Sequence, residues 1–188
     1  MRRFAYAVFA AGTVMSAIAG PALSQTPAEG NFSGARVEGL LGWDRTHAYG
    51  GHDDGVLYGI GAGYDWRSGN LVVGIDAEAN DSTAKECAGA LCAKAGRDLY
   101  IGGRVGSVVA PNALLYAKAG YTNARYKLAY DDGSARVIDG RTFDGLRVGA
   151  GLEYALSPNS FVKAEYRYSN YEDGLSRNQV VGGFGVRF

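Results

Sequence analysis

The sequence lacks the marks of several large protein classes. Beyond residue 33 no stretch reaches the about 18 apolar residues that a membrane-spanning helix needs. The 19 basic and 19 acidic residues cancel and form no basic block, so nucleic acid is not expected as a partner. Only two histidines and two cysteines are present, and no cofactor or metal site is indicated. With 47% hydrophobic residues the chain is not a disordered one either.

Glycine and tyrosine are abundant instead, with 29 and 13 copies. Each glycine inside a helix costs about 1 kcal/mol relative to alanine, so this composition fits a helical core poorly. Glycine permits close contact between strands, and the amphipathic tyrosine ring suits an interface between apolar and polar surroundings. The composition therefore favours a wall of β-strands.

The N-terminus has the pattern of a secretion signal. Arg2 and Arg3 precede an uncharged apolar stretch, and Ala22-Leu23-Ser24 then places small residues at the two positions that a signal peptidase reads. We expect a signal peptide over residues 1–24, cleaved before Gln25. The alternative is a retained membrane anchor, which the glycines, serine and threonine within the stretch disfavour.

The rest of the chain is expected to form a short lead over residues 25–33 and one domain over residues 34–188. In that domain apolar and polar residues alternate with period two in eight segments of about ten residues, the length of a tilted membrane strand. Within each segment the charges fall on a single face. The pattern predicts an all-β fold, an eight-stranded antiparallel up-and-down transmembrane β-barrel with its apolar face outward.

Two further features favour a membrane barrel over a soluble sandwich or lipocalin. Aromatic residues gather at the ends of the apolar face, as in an interfacial girdle, namely Trp43, Tyr64, Trp66, Tyr121, Tyr154 and Tyr168. Tight turns also alternate with longer polar loops; the turns are predicted at residues 67–69, 110–112 and 157–159, and the loops at 44–54, 80–96, 131–142 and 172–178. Short periplasmic turns and long outer loops are typical of outer-membrane barrels.

The inward face is strongly charged. Its predicted members are the cations Arg36, Arg104, Lys118, Arg147, Lys163, Arg167 and Arg187 and the anions Glu38, Asp76, Glu78, Glu153 and Glu165. An eight-stranded barrel is barely wide enough for side chains, and isolated buried charges are costly, so we expect these groups to pair into a plug. The alternative is a narrow ion path. The glycines of the run 59–63 fall on the same face and would make room for the plug.

The cysteines and histidines give weaker signals. Cys87 and Cys92 lie five residues apart, and in an oxidising compartment we expect them to form a disulfide; two free thiols are the alternative. His47 and His52 fall in the first loop, where the alternation places no serine beside them. We interpret them as part of a solvated loop, and no catalytic residue is predicted.

Two stretches resemble a known family. YGIGAGYDWRSGNLVVGIDAEA, from Tyr58 to Ala79, and the closing GGFGVRF are similar to segments of the OmpA-like, opacity-type surface antigens of proteobacteria. The resemblance implies a location in the outer membrane. It also implies that the terminal aromatic strand carries the signal read by the outer-membrane assembly machinery, here Phe184, Val186 and Phe188.

These observations lead to one main functional hypothesis. The barrel would anchor the chain among outer-membrane lipid and lipopolysaccharide, while its outer loops contact a host or surface ligand. The role would be structural or one of surface recognition: envelope integrity, adhesion or recognition through the loops. The alternatives are a small porin-like channel and, less favoured, a lipid-modifying enzyme of the outer leaflet.

Overall fold

The computed structural model describes residues 31–48, 51–83, 85–88, 91–130, 136–172 and 176–188. It contains nine strands: β1 (Gly34–Ala48), β2 (Gly51–Ser68), β3 (Leu71–Ser82), β4 (Lys85–Ala88), β5 (Leu91–Ala110), β6 (Ala113–Tyr130), β7 (Arg136–Ala155), β8 (Ser160–Tyr171) and β9 (Ser176–Arg187). In the part of the chain that the structure describes, no helix is long and apolar enough to cross a membrane.

Eight of these strands close into a ring. Each pairs antiparallel with its neighbours; β1 pairs with both β2 and β9, and β3 pairs with β5 to complete the circle. The short β4 pairs with β5 and forms a hairpin beyond the ring. The predicted eight-stranded antiparallel barrel is therefore confirmed.

The wall of the barrel has an apolar outer face and a polar inner face. Leu146 is 69% exposed, whereas its neighbour Arg147 is fully buried in the interior. The same alternation runs through β3 and β8, in which buried and exposed residues follow one another almost without interruption. Successive residues of a strand point to opposite faces, so burial of the polar set requires that the apolar set faces outward.

The connections differ from the predicted ones. Residues 69–70, 111–112 and 156–159 form the tight turns, and Gly69 adopts a φ of 61°, a conformation that favours glycine. The predicted loop bounds 44–54, 80–96, 131–142 and 172–178 are wrong, because the strands run on into these segments. In these segments the inward residues Asp44 and Arg177 are still buried, but their outward neighbours Arg45 and Asn178 are polar as well, so the hydrophobic alternation stops while backbone pairing continues.

The strands differ in length in a regular way. β3, β8 and β9 have 12 residues each, whereas β5 and β7 have 20 and β6 has 18. At the end of the barrel where the tight turns lie, the strands all end at about the same height. The extra residues of β5, β6 and β7 therefore project at the opposite end, beyond the apolar band.

Candidate functional site

The interior of the barrel is filled by charged side chains, and it is the candidate site. All twelve residues predicted for the inward face lie there, each at most 5% exposed. The structure adds four more buried charges: Asp44, Asp65, Asp98 and Arg177. Arg36, Arg104, Lys118, Arg147, Lys163, Arg167, Arg177 and Arg187 give eight cations, and Glu38, Asp44, Asp65, Asp76, Glu78, Asp98, Glu153 and Glu165 give eight anions. The described interior is therefore neutral in formal charge.

The four additional residues could have been found from the alternation. Asp65 and Asp98 fall on the charged face of their segments, but the predicted network leaves them out. Asp44 and Arg177 fall inside predicted loops, although each continues the period of its strand's inward charges. Continuing the alternation past the apolar band would have placed all four in the interior.

Asp65 is the centre of the network near the tight turns. Its two carboxylate oxygens lie 2.7 and 2.5 Å from Nε and Nη2 of Arg104. The Oδ2 atom also lies 3.1 Å from Nε of Arg36 and 3.0 Å from Nη1 of Arg187. Glu153 joins two of these arginines from the other side, at 3.0 Å from Arg104 and 2.6 Å from Arg187. One aspartate thus contacts three buried arginines.

Arg36 and Lys163 connect the charges around Asp65 with those in the middle of the barrel. Arg36 donates to Asp76, and its Nη1 atom lies 3.3 Å from Oε1 of Glu38. The same Glu38 oxygen accepts from Nζ of Lys163 at 2.7 Å. Lys163 in turn lies 3.5 Å from Oε2 of Glu165, so the pairs continue across the barrel from β1 to β8.

The middle of the barrel is built around two glutamates. Lys118 lies 2.5 Å from Glu78 and 2.9 Å from Glu165. Arg167 contacts both glutamates as well, with Nη1 at 2.8 Å from Oε2 of Glu78. The Tyr116 hydroxyl donates to Glu165 at 2.6 Å. The carboxylates therefore have cationic or hydroxyl partners on several sides, as buried charges require.

A third group of charges lies near the long hairpins. Arg147 lies 2.5 Å from Oδ2 of Asp98, and the same oxygen lies 3.3 Å from Nη1 of Arg177. Arg177 also forms an ion pair with Asp44. A contact of 4.0 Å between Arg147 and Glu78 links this group to the middle of the barrel. Every one of the sixteen buried charges has at least one oppositely charged partner.

Glycines in the wall make space for these side chains. A Cβ atom at Gly63 would lie 2.6 Å from Nη2 of Arg36 and 2.5 Å from the backbone oxygen of Ile75. At Gly61 it would lie 2.7 Å from Oε1 of Glu38. Real side chains do not approach so closely, and a larger residue here would displace the network or the neighbouring strand.

Apolar residues lie at both ends of the charged interior. Near the tight turns, the fully buried Phe32 packs with Val72, Leu114 and Ala155. Its ring lies under the guanidinium of Arg187, at 6.0 Å from the centroid. At the other end Ala124 and Tyr171 form a buried pair, against which Phe143 packs. The lead residue Phe32, which comes before the first strand, thus occupies the mouth of the barrel at the turn end.

The six aromatic residues predicted for the girdle are all on the outer face, and their exposed fractions lie between 39% and 53%. Three lie toward the tight turns, namely Tyr64, Trp66 and Tyr154. The other three lie toward the long hairpins, namely Trp43, Tyr121 and Tyr168. On the hairpin side two of these rings contact acidic residues through their polar tips. Nε1 of Trp43 donates to Asp54 at 3.3 Å, and the Tyr121 hydroxyl donates to Asp144.

The remaining predicted residues are placed as follows. Phe184 and Val186 lie on β9; Phe184 is 56% and Phe188 73% exposed. The backbone N–H of Phe188 donates to the carbonyl of Ala35 at 2.8 Å.

For the two cysteines and the two histidines, the structure gives only the backbone register. The register sets Cys87 directly across from Cys92, and His47 across from His52. Their side chains lie outside the described residues, so the disulfide stays a prediction. Among the residues that the structure describes, no group of three or more histidine, cysteine or acidic residues could hold a metal ion.

Comparison with known proteins gives a consistent result. The model of the family described as outer membrane protein beta-barrel domain matches residues 9–188. A 22 kDa outer membrane protein of Rhizobium leguminosarum bv. viciae is 30% identical over 163 residues, covering 80% of this chain and 72% of that protein. A 25 kDa outer-membrane immunogenic protein of Brucella ovis is 31% identical over 132 residues, covering 69% of this chain but only 62% of that protein.

A solved structure shares the fold. Ail, the attachment invasion locus protein of Yersinia pestis, superposes with a TM-score of 0.62 at 18% identity, covering 83% of this chain and 99% of that one. At this identity the likeness concerns the barrel architecture alone.

Proposed function

Since the chain belongs to the outer membrane protein β-barrel domain family and is an outer-membrane protein, we propose that it acts as a closed anchor. In this role the barrel holds the chain in the outer membrane and presents its outer hairpins to the surroundings. The function is then structural or one of surface recognition, with no transport through the lumen. The family and the names of the relatives indicate no enzyme.

The paired interior is the observation that carries this proposal. Sixteen buried charges balance to zero and are linked by ion pairs from Arg187 to Asp44, with apolar residues at each end. An ion entering such a lumen would have to separate these pairs, and breaking a buried pair costs about 3–5 kcal/mol. Eight strands also leave an interior just wide enough for side chains to fill.

Planar-bilayer recording tests the closed state. The folded protein, inserted at one copy per membrane, is expected to give no stable openings, while an open-lumen porin in the same bilayer serves as the positive control. Stable, reproducible openings of the wild type would contradict the proposal and favour the porin-like channel instead.

The surface role rests on the relatives and on the projecting strands. The Brucella ovis protein is named as immunogenic, and the Yersinia pestis protein is named for attachment and invasion. In this chain β5, β6 and β7 extend well beyond the apolar band. We propose that these projecting segments contact a host or surface ligand.

A complementation experiment separates the two roles. Cells lacking the protein are supplied with the wild type or with a variant in which residues 85–94 are replaced by a short turn. A structural role predicts that both proteins restore resistance of the envelope to detergent. Surface recognition predicts that only the wild type restores adhesion. Failure of the wild type to restore either property would contradict the proposal.

We further propose that the C-terminal strand directs assembly. Phe184 and Phe188 are exposed on the outer face of β9 and beyond it, where another protein can read them. Deletion of Phe188 should lower the amount of folded protein in the outer membrane while leaving refolding in detergent micelles almost unchanged. Equal loss in cells and in micelles would instead mean that Phe188 matters only for stability.

A further inference from the structure

The barrel closes where its first and last strands, β1 and β9, pair with each other, and we call this pairing the seam. Five successive residue pairs of the seam each contain a glycine, from Glu38 opposite Gly185 to Gly42 opposite Val181. Among the strands that the structure describes, no other pairing has more than three such pairs in succession. Side-chain pairs across neighbouring strands stabilise a sheet, and glycine contributes none. Over this stretch the seam therefore depends mainly on its backbone hydrogen bonds.

The chain that leads into β1 crosses the turn-side end of the seam. Gly34 has a φ of 112°, and a Cβ atom there would collide with the backbone oxygen of Phe188, just after β9. One residue earlier, the Ser33 hydroxyl donates to the carbonyl of Asp65 on β2 at 3.3 Å. We call residues 31–34 the clasp. It passes directly against the end of β9 and is hydrogen-bonded to β2.

Phe32 is the residue of the clasp that enters the barrel. Its ring is buried among three apolar side chains from three different strands, namely Val72 of β3, Leu114 of β6 and Ala155 of β7. The guanidinium groups of Arg67 and Arg187 lie 5.9 and 6.0 Å from the ring centroid. Arg187 belongs to β9, and β6 lies opposite the seam in the ring of strands. Through Phe32 the chain before β1 is therefore held against β9 and against the far side of the mouth.

The binding place of Phe32 exists only in a closed barrel. β3, β6 and β7 belong to three different hairpins, which surround one point only when the ring of strands is complete. The seam joins the two strands that lie furthest apart in the sequence, and we expect such a pairing to form late in folding. The contacts of Phe32 are then absent from the transition state. Contacts of that kind slow unfolding and hardly change the rate of folding.

We propose that the clasp holds the seam closed once the barrel has formed, and that its effect is on the rate of opening. An open seam would expose the unpaired edges of β1 and β9 to lipid, which offers them no hydrogen bonds. The glycine-rich stretch makes the seam the place where opening has the fewest side-chain contacts to break. This inference does not depend on the proposed function, because a closed anchor and an open channel both need a lasting seam.

Rates of folding and unfolding in urea, measured on the protein in phospholipid vesicles, test the clasp. F32A should raise the unfolding rate about 100-fold and change the folding rate less than about twofold. F161A is the matched control, because Phe161 is a buried ring at the same mouth, with its centroid 5.4 Å from the guanidinium of Arg187. Phe161 lies within β8, whose hairpins form before closure, so F161A should change both rates.

A second substitution tests the crossing at Phe188. Alanine at Gly34 is strained and would displace the clasp, so G34A should also unfold faster. Since both substitutions release the same segment, F32A/G34A should unfold at nearly the rate of F32A alone. G69A is the control, because Gly69 also has a positive φ but nothing lies within 4 Å of its Cβ position. The effect of G69A should add to that of F32A.

Hydrogen exchange followed by mass spectrometry locates the opening. In F32A the backbone amides of β1 and β9 should exchange about tenfold faster than in wild type, because the seam opens without unfolding of the whole barrel. The amides of β6 and β7 should keep their protection. An equal loss of protection in all strands would mean that Phe32 stabilises the barrel as a whole, and would overturn the proposal.

The rate measurements are equally decisive. Slowing of folding by F32A as large as its effect on unfolding, or additive effects of F32A and G34A, would overturn the proposal. If F32A does not fold, F32L replaces it and should raise the unfolding rate about tenfold. Failure of both variants to fold would also overturn the proposal, because a contact made after closure is not needed for folding.

Discussion

Substitution of Asp65 by asparagine is the most informative perturbation of the lumen. Asp65 contacts Arg36, Arg104 and Arg187 and is itself fully buried. The asparagine has nearly the same shape, but it removes the negative charge and turns one acceptor into a donor facing a guanidinium group. The interior would then hold eight cations and seven anions.

The expected magnitude follows from the partners that remain. Breaking a buried ion pair by removal of one partner costs about 3–5 kcal/mol. In D65N, Arg104 and Arg187 still pair with Glu153. Arg36 still pairs with Glu38 and Asp76. We therefore expect D65N to lower the free energy of unfolding by about 3 kcal/mol, the lower end of that range.

D54N is the matched control. Asp54 pairs with Arg45 on the same hairpin, but the two side chains are 34% and 49% exposed. Exposed ion pairs contribute about 0–1 kcal/mol to stability, so D54N should lower the free energy of unfolding by less than about 1 kcal/mol.

The assay is equilibrium unfolding in urea of the barrel in phospholipid vesicles, followed by the fluorescence of Trp43 and Trp66. Both tryptophans are on the outer face and report on loss of the apolar contact. If D65N loses no more stability than D54N, the ion pairs of the lumen do not stabilise the barrel, and the argument for a paired, closed interior fails.

Three further predictions use the same protein. F32A removes a fully buried ring at the turn-side mouth and should lower the free energy of unfolding by about 3 kcal/mol; a loss below about 1 kcal/mol would show that the lead is not packed there. G63A places a Cβ atom 2.5 Å from a backbone oxygen and should cost about 1–3 kcal/mol, whereas G39A has nothing within 4 Å and should be nearly neutral. Equal effects of the two glycine substitutions would contradict the close packing of the inner face. Alkylation of the unfolded, unreduced protein should leave Cys87 and Cys92 unmodified, and reduction should make both reactive; labelling without reduction would mean free thiols.

The fold could be predicted from the sequence because the membrane forces a strict pattern on each strand. Lipid on one side and packed side chains on the other leave a period of two that is visible in pairs such as Leu146 and Arg147. The strand number and the facing of the wall follow directly from it.

The apolar half of the pattern ends where the strands leave the apolar band. There the outward face no longer has to be apolar, so the pattern predicts loops at Asp44 and Arg177, although both are buried and complete the lumen network. The register that sets His47 across from His52 could not be predicted either, because it depends on which residues the hairpin brings opposite one another. Periodicity gives the face of a residue, whereas register is a property of two strands together.

The closure of the turn-side mouth could not be predicted for a related reason. Phe32 precedes the first strand and belongs to no alternating segment. Its burial depends on the folded barrel, since Val72, Leu114 and Ala155 come together only when three separate hairpins have formed.

The unequal strand lengths give the barrel a direction within the plane of the membrane. The side built by β5, β6 and β7 is a high wall, while the adjoining β8 and β9 form a low one. A molecule arriving from solution meets the high wall first. A neighbour that diffuses laterally meets a different profile according to the side from which it comes. Rotation of the barrel about its own axis therefore changes which wall a neighbouring protein contacts. In a crowded membrane the orientation of one copy would depend on whether its neighbours fit against the high wall or the low one.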